Sequence, residues 1–329
     1  GKMERKYIIS IDMGGTKILG SIINSKEGIV ARYKRSTKVQ KEKVKKVDFA
    51  ETLFTIVSEL IFSSKIPESQ IKAICLGIPG SVNPHTGKIG IAPNLNIKNY
   101  NIKQRLQKYT KIPVLIENDV NLATLGIQHY GYGIDKQNML VVFVGTGIGG
   151  GLVFNSQLYR GSTFFAGEIG HIEIMKNGPK CGCGKNGCFE ALASRTAIVR
   201  NIISDIKLGK KSLLSKLVKD NIPIKSKALL NAVNNEDKLV SRHISDACET
   251  IGLVLANLNN LLNLEIIVLG GGVIEALHTF MMPKIKLSFK NHSLASSARG
   301  VRVVATKLGD DAALYGGLAL AEEFLEIKV

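Results

Sequence analysis

Residues 8–17 read IISIDMGGTK and residues 141–151 read VVFVGTGIGGG, and these two stretches decide the fold class. Each is an apolar strand that meets a glycine-rich turn and continues into a second apolar stretch, at 22–24 in the first copy and 152–155 in the second. Turns of this kind offer backbone N–H groups to phosphate oxygens. The repetition therefore predicts two halves of the chain that each begin with a phosphate-sized hairpin.

Apolar strands alternate with helical periodicity along the rest of the chain. Strands are predicted at 73–78, 113–117 and 265–269, and helices at 47–62, 119–130, 236–263 and from about 311 onward. The longest of these helices has an apolar stripe formed by Ile251, Val254, Leu255, Leu258, Leu261 and Leu262. Strands that alternate with helices predict an α/β architecture.

The composition is that of a folded chain. Apolar residues make up 45% and charged residues 22% of the 329 positions, which excludes a disordered or collagen-like class. At this length two domains are expected, without disulfide staples. Cys75 and Cys248 stand among apolar residues and are predicted to lie in the core. No apolar signal segment follows the N-terminus, and glycines break the charge-free stretch 137–159, so we expect no membrane partner and a cytoplasmic location.

The chain is basic, because 44 Lys and Arg residues exceed 27 Asp and Glu residues and give a formal charge of +17. Such a balance suits a polyanionic partner, for instance nucleic acid. However, the Lys-rich run at 34–46 has no interleaved aromatic residues that could stack on bases. A solvated basic surface is the preferred interpretation, and no nucleic-acid partner is expected.

The first turn, at residues 12–17, has groups suited to phosphate and metal binding. Gly14 and Gly15 let backbone N–H groups approach phosphate oxygens closely. Thr16 and Lys17 add a hydroxyl and a positive charge. Asp12, at the end of a strand, is a suitable ligand for hydrated Mg²⁺. A plain hairpin turn is the alternative, and the flanking Asp and Lys favour phosphate.

The second turn, at residues 145–150, matches the pattern G-x-G-x-x-G. In a dinucleotide-binding fold that pattern requires a helix directly after the glycines. Here Gly151 is followed by Leu152-Val153-Phe154, which favours a strand. The turn is therefore predicted to be a second phosphate hairpin and not a nicotinamide site.

Three of the five cysteines lie within eight residues, in the segment CGCGKNGC at 181–188. With His171 upstream, Cys181, Cys183 and Cys188 supply three thiolates and one imidazole, the ligand set of a tetrahedral zinc site. A disulfide is the rival, but three cysteines cannot all pair locally and a cytosolic compartment disfavours disulfides. Because four protein ligands close the coordination sphere, the zinc is expected to be structural.

Acidic side chains flank this zinc knuckle. Glu168 precedes His171 by three residues, and Glu190 follows Cys188 by two. A knuckle would hold these groups together, and carboxylates accept several hydrogen bonds from sugar hydroxyls. His171 can ligate zinc through one ring nitrogen and hydrogen-bond a ligand through the other. Each acid taken singly is equally consistent with a solvated surface position.

The segment Glu117–Asn121 stands where a predicted strand ends and a helix begins. Asn118 or Asp119 is suited to cap that helix, which is the structural interpretation. The carboxyl end of a strand is also where α/β proteins bind ligands. Both interpretations stay open on these residues alone.

Taken together, the motifs resemble the ROK (repressor, open reading frame, kinase) family of sugar kinases, within the actin/hexokinase fold superfamily. The resemblance covers nearly the whole chain and is most similar to the bacterial glucokinase branch. Its motifs are DMGGTK at 12–17, LGIPG at 76–80, APNL at 92–95, ENDVN at 117–121, GTGIGGG at 145–151, GEIGH at 167–171, CGCGKNGCFE at 181–190, LGGGV at 269–273 and LGDDAALYGG at 308–317.

The resemblance implies two actin-like (ribonuclease H-like) α/β lobes with a cleft between them. The smaller lobe would comprise 1–119 and 311–329, and the larger lobe, with the zinc knuckle, 120–310. The family implies a general base at Asp119, sugar ligands at Asn94, Asn118, Asp119, Glu168, His171 and Glu190, nucleotide-binding residues at Gly14, Gly15, Thr16, Lys17, Thr146, Gly147, Gly270, Gly271 and Gly272, and Asp12 near Mg²⁺. The implied cofactors are ATP, Mg²⁺ and structural Zn²⁺, and the implied assembly is a homodimer or homotetramer.

The implied activity is ATP-dependent phosphorylation of a hexose at the 6-hydroxyl, with glucose as the favoured substrate. N-acetylmannosamine, N-acetylglucosamine, fructose and allose are rival substrates, and polyphosphate is a rival donor. Sugar-sensing repressors of the family have a helix-turn-helix domain ahead of the kinase-like part. The eleven residues before Asp12 are too few for such a domain, so a kinase is expected. A non-enzymatic actin-like polymer subunit is disfavoured by the zinc knuckle and the acids.

Overall fold

A computed structural model describes residues 4–14, 17–36 and 48–329. Gly15, Thr16 and most of the Lys-rich run at 34–46 lie outside the described residues. The chain forms two compact units, the first from Gly1–Asp135, Leu158–Ala166 and Asp310–Val329, the second from Lys136–Gln157 and Gly167–Gly309. The first unit therefore continues past the predicted boundary at residue 119.

The first unit contains a main sheet of five strands and a smaller sheet of three strands. Its strands are β1 (Tyr7–Met13), β2 (Lys17–Asn24), β3 (Gly28–Ser36), β4 (Ile71–Ile78), β5 (Ser81–Asn83), β6 (Lys88–Ala92), β7 (Ile97–Asn101) and β8 (Val114–Asn118). The main sheet has the order β3-β2-β1-β4-β8, and β5-β6-β7 form a small separate sheet. The hairpin strands β1 and β2 are antiparallel, whereas β1, β4 and β8 are parallel.

Four α-helices of the described chain belong to the first unit. They are Phe49–Ser64, Ile102–Leu106, Asp119–Tyr130 and the C-terminal helix Ala312–Leu325, and short 3₁₀ helices cover Glu68–Gln70, Pro93–Leu95 and Gly309–Asp311. Glycines let Asp119–Tyr130 approach the C-terminal helix. A Cβ on Gly126 would lie 1.8 Å from the Ala312 carbonyl oxygen, and one on Gly316 would lie 1.8 Å from that of Leu122. This close packing explains why the unit extends beyond residue 119.

The second unit repeats the plan of the first. Its strands are β9 (Met139–Val144), β10 (Ile148–Phe154), β11 (Gln157–Leu158), β12 (Ile266–Gly270) and β13 (Arg302–Ala305), in the order β11-β10-β9-β12-β13. Strands β9 and β10 form an antiparallel hairpin, and β9, β12 and β13 are parallel. The predicted internal repetition is confirmed, and a strand, not a helix, follows the second glycine turn.

Helices cover the rest of the second unit. They are Phe189–Ala193, Arg195–Lys207, Ser215–Lys219, Ser226–Asn234, Lys238–Leu262, Gly272–His292 and Ala295–Ala298, with a 3₁₀ helix at Ile169–His171. The predicted apolar stripe on Lys238–Leu262 is wrong at Leu261, which is 78% exposed. Leu261 stands at the edge of the stripe, in the last turn, where the helix leaves the core.

Each unit has its own apolar core. One is formed around β1, β4 and the helix Phe49–Ser64, and the other around β9, β12 and the helices Lys238–Leu262 and Gly272–His292. Cys75 and Cys248 are fully buried, as predicted. Among the described residues, none of the helices has both the length and the apolar character needed to cross a bilayer.

Candidate active site

The parallel strands of the first unit end beside one another and bring three predicted site residues to one edge of the sheet. Asp12 in β1 is in register with Gly77 in β4, and Gly77 is in register with Glu117 in β8. Asn118 ends β8, and Asp119 begins the helix that follows. Asp12, Asn118 and Asp119 therefore lie together, as expected for the carboxyl edge of an α/β sheet.

Asp12 is an electrostatically unfavourable residue in the absence of a cation. Burial raises the pKa of its carboxyl group well above the usual value, and the negative charges of Asp119 and Asp310 raise it further, against a smaller opposing effect of Lys17. Its Oδ1 atom is buried and accepts no hydrogen bond from the residues that the structure describes. A buried, unpaired oxygen among acidic groups fits a position facing hydrated Mg²⁺.

Asn118 caps the helix Asp119–Tyr130, so the structural interpretation of this residue is confirmed. Its Oδ1 accepts hydrogen bonds from the backbone N–H groups of Val120 and Asn121, at 3.0 and 3.1 Å. Its Nδ2 donates to the carbonyl oxygen of Gly80, at 2.9 Å. The amide has a second Nδ2 hydrogen, so capping is compatible with donation to a sugar hydroxyl.

Asp119 is the first residue of the capped helix and is half-buried. Its Oδ1 accepts a hydrogen bond from the Val120 backbone at 2.9 Å. An acidic side chain in a first helical turn interacts favourably with the partial positive charge there. The helix thus fixes a carboxylate beside Asp12.

Asn94 stands on the same unit, exposed in the 3₁₀ helix Pro93–Leu95. The chain just before it packs on Gly80, where an added Cβ would lie 2.2 Å from the Ile91 carbonyl oxygen. Gly80 also accepts the hydrogen bond of Asn118, so the segment that leads into Asn94 packs on the residue that Asn118 contacts.

Lys17 begins β2 and forms an ion pair with Asp310, just ahead of the C-terminal helix. Sequence reasoning gave Asp310 no role, although the LGDDA motif contained it. Asp311, its neighbour, forms a two-bond ion pair with Arg32, at 2.8 and 2.9 Å. The start of the C-terminal helix is therefore attached by charge to the first hairpin.

In the second unit, the turn of the β9–β10 hairpin is held by three backbone and side-chain contacts. The Gly145 N–H donates to the Gly147 carbonyl at 2.9 Å. The Arg195 N–H donates to the Gly145 carbonyl at 2.8 Å, and the Thr196 hydroxyl donates to the Thr146 carbonyl at 2.7 Å. The predicted second phosphate turn is thus hydrogen-bonded to the first two residues of the helix Arg195–Lys207.

Glu190 connects this turn to the cysteine segment. Its Oε1 accepts a hydrogen bond from the Ile148 backbone at 2.9 Å, and its Oε2 lies 3.9 Å from the Cys181 sulfur. Gly147 leaves the space that Glu190 occupies, because an added Cβ would lie 2.4 Å from Glu190 Oε1. Only part of this carboxylate is therefore available to a ligand.

His171, Cys181, Cys183 and Cys188 form a cluster that could hold a metal ion, since their ligand atoms all lie within 4.8 Å of one another. The Cys183 and Cys188 sulfurs are 3.7 Å apart, and Cys181 Sγ is 3.6 Å from His171 Nδ1. Tetrahedral ligands about 2.3 Å from one ion are about 3.8 Å apart. The pKa of the Cys183 thiol is lowered to about 7, chiefly by a hydrogen bond with the Lys185 backbone.

The turns of this segment need glycine at Gly187, where φ is +75° and an added Cβ would lie 1.8 Å from the Met175 carbonyl oxygen. Glu168 precedes the 3₁₀ helix Ile169–His171, and its Oε2 lies 4.0 Å from His171 Nε2. The structure therefore brings Glu168, His171 and Glu190 to one region around the cluster.

The glycine turn 270–272 joins β12 to the N-terminus of the helix Gly272–His292. A Cβ on Gly272 would lie 3.9 Å from the hydroxyl of Ser226, and that hydroxyl accepts a hydrogen bond from Arg195 at 3.2 Å. Arg195 also contacts the hairpin turn. The two predicted nucleotide elements of the second unit are thereby linked through Arg195 and Ser226, neither of which sequence reasoning identified.

A groove of about 600 Å³ opens beside this arrangement. Thr146 and Thr196 line it together with an apolar floor, and the charged lining residues are Arg195, Arg200, Lys207 and Lys225. A pocket of this size with an apolar floor and cationic rim suits a ligand that combines an aromatic body with phosphates.

The fold and these sites define a class of two-unit α/β proteins whose repeated glycine hairpins accompany an acidic sheet edge and a Cys/His cluster. The chain belongs to the ROK family, whose sequence profile it matches over residues 8–324. A glucokinase of Halalkalibacterium halodurans is 33% identical over 320 residues, which cover 96% of this chain and 94% of the relative. A putative xylose repressor of a Caldicellulosiruptor species is 30% identical over 314 residues, covering 95% of this chain and 77% of the repressor.

Among solved structures, a ROK glucokinase from Streptomyces griseus in complex with glucose and AMPPNP is similar, with a TM-score of 0.80 and 26% identity. The similarity covers 96% of this chain and 99% of the other. Glucokinase relatives of this length support a sugar kinase, and the repressor relative shows that some members of the family have another role.

Proposed function

We propose that the protein transfers the γ-phosphoryl group of ATP to the 6-hydroxyl of a hexose, with glucose as the preferred acceptor. The observation that supports this most strongly is the acidic edge of the first unit. There Asp119, at the start of a helix, lies beside Asp12, whose buried Oδ1 accepts no hydrogen bond from the described residues. A kinase needs a positioned base for the hydroxyl and a cation beside the phosphates, and this edge offers residues for both.

Asp119 acts as the general base in this proposal. A sugar hydroxyl is too weakly acidic to ionise unaided, so the carboxylate accepts its proton as the new P–O bond forms. Such assistance contributes about 10²–10⁴ in rate. Asn118 and Asn94 orient the sugar. Asn118 does so by donating from Nδ2, while the Oδ1 of the same amide caps the helix.

Mg²⁺, when bound, neutralises charge on the phosphates. Asp12 is the residue that would hold it or its water shell, because its buried Oδ1 has no partner among the described residues. Lys17, with Gly14, Gly15 and Thr16, serves the phosphates from the first turn. Release of Lys17 from Asp310 would free its ammonium group for that role.

In the second unit, we assign Glu168, His171 and Glu190 to sugar hydroxyls. Zinc suits the Cys/His cluster because three thiolates and one imidazole lie at tetrahedral spacing. Zinc there orders the chain between Glu168 and Glu190 and takes no part in the chemistry. The proposed use of ATP is consistent with a cytoplasmic location.

The nucleotide contacts the second hairpin and the glycine turn 270–272. Thr146 and Gly147 present backbone N–H groups to phosphate, and the groove beside Thr196 receives the adenosine. Its four cationic side chains favour a donor with several phosphates.

A coupled assay of ADP release tests the proposal. The purified protein is supplied with ATP and Mg²⁺ and, in turn, with glucose, N-acetylmannosamine, N-acetylglucosamine, fructose and allose. Polyphosphate replaces ATP in a second series, which is measured as formation of sugar phosphate because no ADP is released. We expect the highest kcat/KM with glucose and ATP. Highest turnover with another sugar would replace glucose as the substrate, and the absence of sugar phosphate in both series would refute kinase activity.

The second candidate, a sugar-responsive repressor, is favoured by the similarity to the putative xylose repressor. It predicts sugar binding without phosphoryl transfer, together with salt-dependent binding to duplex DNA. Calorimetric titration with glucose, combined with the ADP assay, distinguishes the two functions.

A further inference from the structure

Arg160 lies inside the first unit, on the short segment Leu158–Ala166, and holds two carboxylates. Its Nε donates to Glu117 Oε2 at 2.7 Å, and its two terminal nitrogens donate to the Glu323 carboxylate at 2.8 and 3.0 Å. Its guanidinium carbon lies 5.4 Å from the centre of the Phe324 ring. The Arg160 side chain is only 12% exposed and that of Glu117 only 2%, whereas that of Glu323 is 42% exposed, so the buried part of the network is the Arg160–Glu117 pair.

Glu117 also forms hydrogen bonds with residues next to the proposed base. Its Oε1 accepts a hydrogen bond from the Asn118 backbone at 2.9 Å and another from the Asn121 side chain at 3.4 Å. Asn118 in turn caps the helix that begins at Asp119. A continuous set of hydrogen bonds therefore connects Arg160 to the Asn118 backbone N–H and to the Asn121 side chain, which lie on either side of Asp119 in the sequence.

Stability alone does not account for a charge at this place. Burying a carboxylate is costly, and replacing a buried ion pair by apolar residues of similar volume is commonly neutral or stabilising. The two-bond contact with Glu323 supplies instead a fixed orientation of the Arg160 guanidinium group. The Nε of that group then holds Glu117 by one hydrogen bond, at the end of β8 and just before the helix Asp119–Tyr130.

We propose that Arg160 is a positioning residue that, through Glu117, fixes the backbone of residues 118–121 and thereby the carboxylate of Asp119. The inference rests on the proposed role of Asp119 as the base. It adds a function to the segment Leu158–Ala166, which precedes Glu168 and His171 by a few residues. Misplacement of a reacting group by about 1 Å can cost about 10²-fold in rate.

Arg160→Met is the main test, with Arg160→Lys as the conservative variant. Arg105→Met is the matched control, because Arg105 also pairs with a carboxylate, Asp48, and lies 4.4 Å from an aromatic ring centre, but away from Asp119's helix. We expect kcat for glucose to fall 10- to 100-fold in Arg160→Met, with a change in KM below about threefold. Arg160→Lys should recover part of kcat, and Arg105→Met should match the wild type.

The dependence on pH provides a readout that general destabilisation would not reproduce. Burial raises the pKa of Glu117, and Arg160 is the strongest opposing influence, helped by hydrogen bonds from Asn118 and Asn121. Glu323, on the C-terminal helix, faces Arg160, and Asp119 follows on the adjacent helix. Without Arg160 the pKa of Glu117 rises further, so the protonated form accumulates as pH falls.

The kcat of Arg160→Met should therefore increase with pH over a range in which the kcat of the wild type is constant. Adding Glu117→Gln to Arg160→Met should remove this dependence of kcat on pH.

Hydrogen exchange of the amides 116–121 tests positioning without any assay of catalysis. The Asn118 amide should exchange faster in Arg160→Met and Glu117→Gln than in Arg105→Met, at equal global stability. If exchange and kcat are unchanged in Arg160→Met, or if KM rises while kcat is kept, the positioning role is wrong. If the wild type phosphorylates no sugar but exchange responds as expected, the proposed function fails and the connection from Arg160 to residue 118 stands. Should Arg160→Met not fold, Glu323→Gln serves in its place, because it weakens the ion pair that orients Arg160. It must then show a smaller loss of kcat and a smaller increase in exchange of the Asn118 amide.

Discussion

The two glycine hairpins share one topology but are surrounded by different chemistry. In the first unit, the carboxylate of Asp12, with its buried Oδ1, lies one residue before the end of β1, and Lys17 at the start of β2 forms an ion pair. In the second unit, the turn 145–147 has no charged residue of its own and is held by Glu190, Arg195 and Thr196. The same hairpin topology is therefore found at an acidic sheet edge in one unit and at an uncharged turn, held by neighbouring side chains, in the other.

The largest effect is expected at the acidic edge. Asp119→Asn should lower turnover about 10²- to 10⁴-fold while glucose binding stays detectable, because the amide cannot accept the proton. Asp135→Asn is the control, since Asp135 is exposed in the same unit and its φ of +62° suits Asn. Steady-state kinetics and calorimetry measure both variants. Turnover within threefold of the wild type would remove Asp119 from the mechanism.

Substitution in the Cys/His cluster of the second unit should give the next largest effect. Cys188→Ser removes one of four ligands, so bound zinc should be lost and the melting temperature should fall by about 5–15 °C. Cys248→Ser alters another fully buried cysteine outside the cluster and should keep its metal. Elemental analysis and calorimetry provide the measurements. Wild-type protein purified without chelators that contains no zinc would contradict the assignment.

Alanine substitutions at two glycines of the second turn, Gly145 and Gly147, should have different effects on activity. Gly147→Ala places a methyl group where Glu190 Oε1 lies and should break its hydrogen bond with Ile148, at a cost of about tenfold in kcat/KM. Gly145→Ala meets no atom within 4 Å among the described residues and should be silent. Equal effects of the two substitutions would show that the hydrogen bond between Glu190 and Ile148 does not hold the turn in its active conformation.

The smallest effect is expected from Ser226→Ala. Loss of the hydrogen bond from Arg195 to Ser226 should raise KM for ATP about threefold and leave KM for glucose unchanged. Ser296→Ala, at an exposed position, is the control. A larger change in KM for glucose than for ATP would place the groove outside the nucleotide site.

Sequence reasoning predicted the elements well where a single local pattern dominates. The alternating halves, the strand after Gly151 and the long helix all follow from hydrophobic periodicity, and their ends differ from the expected ones by a few residues. The Cys/His cluster was predictable because its ligands are close in sequence. Asn118 was left between a cap and a ligand, since one side chain can do both.

The residues that escaped prediction make contacts between distant parts of the chain. Arg160 meets Glu117 and Glu323, 43 and 163 residues away, and Asp310 meets the predicted Lys17, 293 residues away. No periodicity or spacing records such partners, because they depend on how the helices of the first unit pack. Close packing of Gly126 and Gly316 moved the unit boundary past residue 119 for the same reason.

The product of the reaction with glucose and ATP tests the central claim most directly. Phosphorus and carbon NMR of the completed reaction should show ADP and a sugar phosphate in equal amounts, with the ester on the 6-oxygen. An ester at any other position, or ADP formed without a sugar phosphate, would contradict the account.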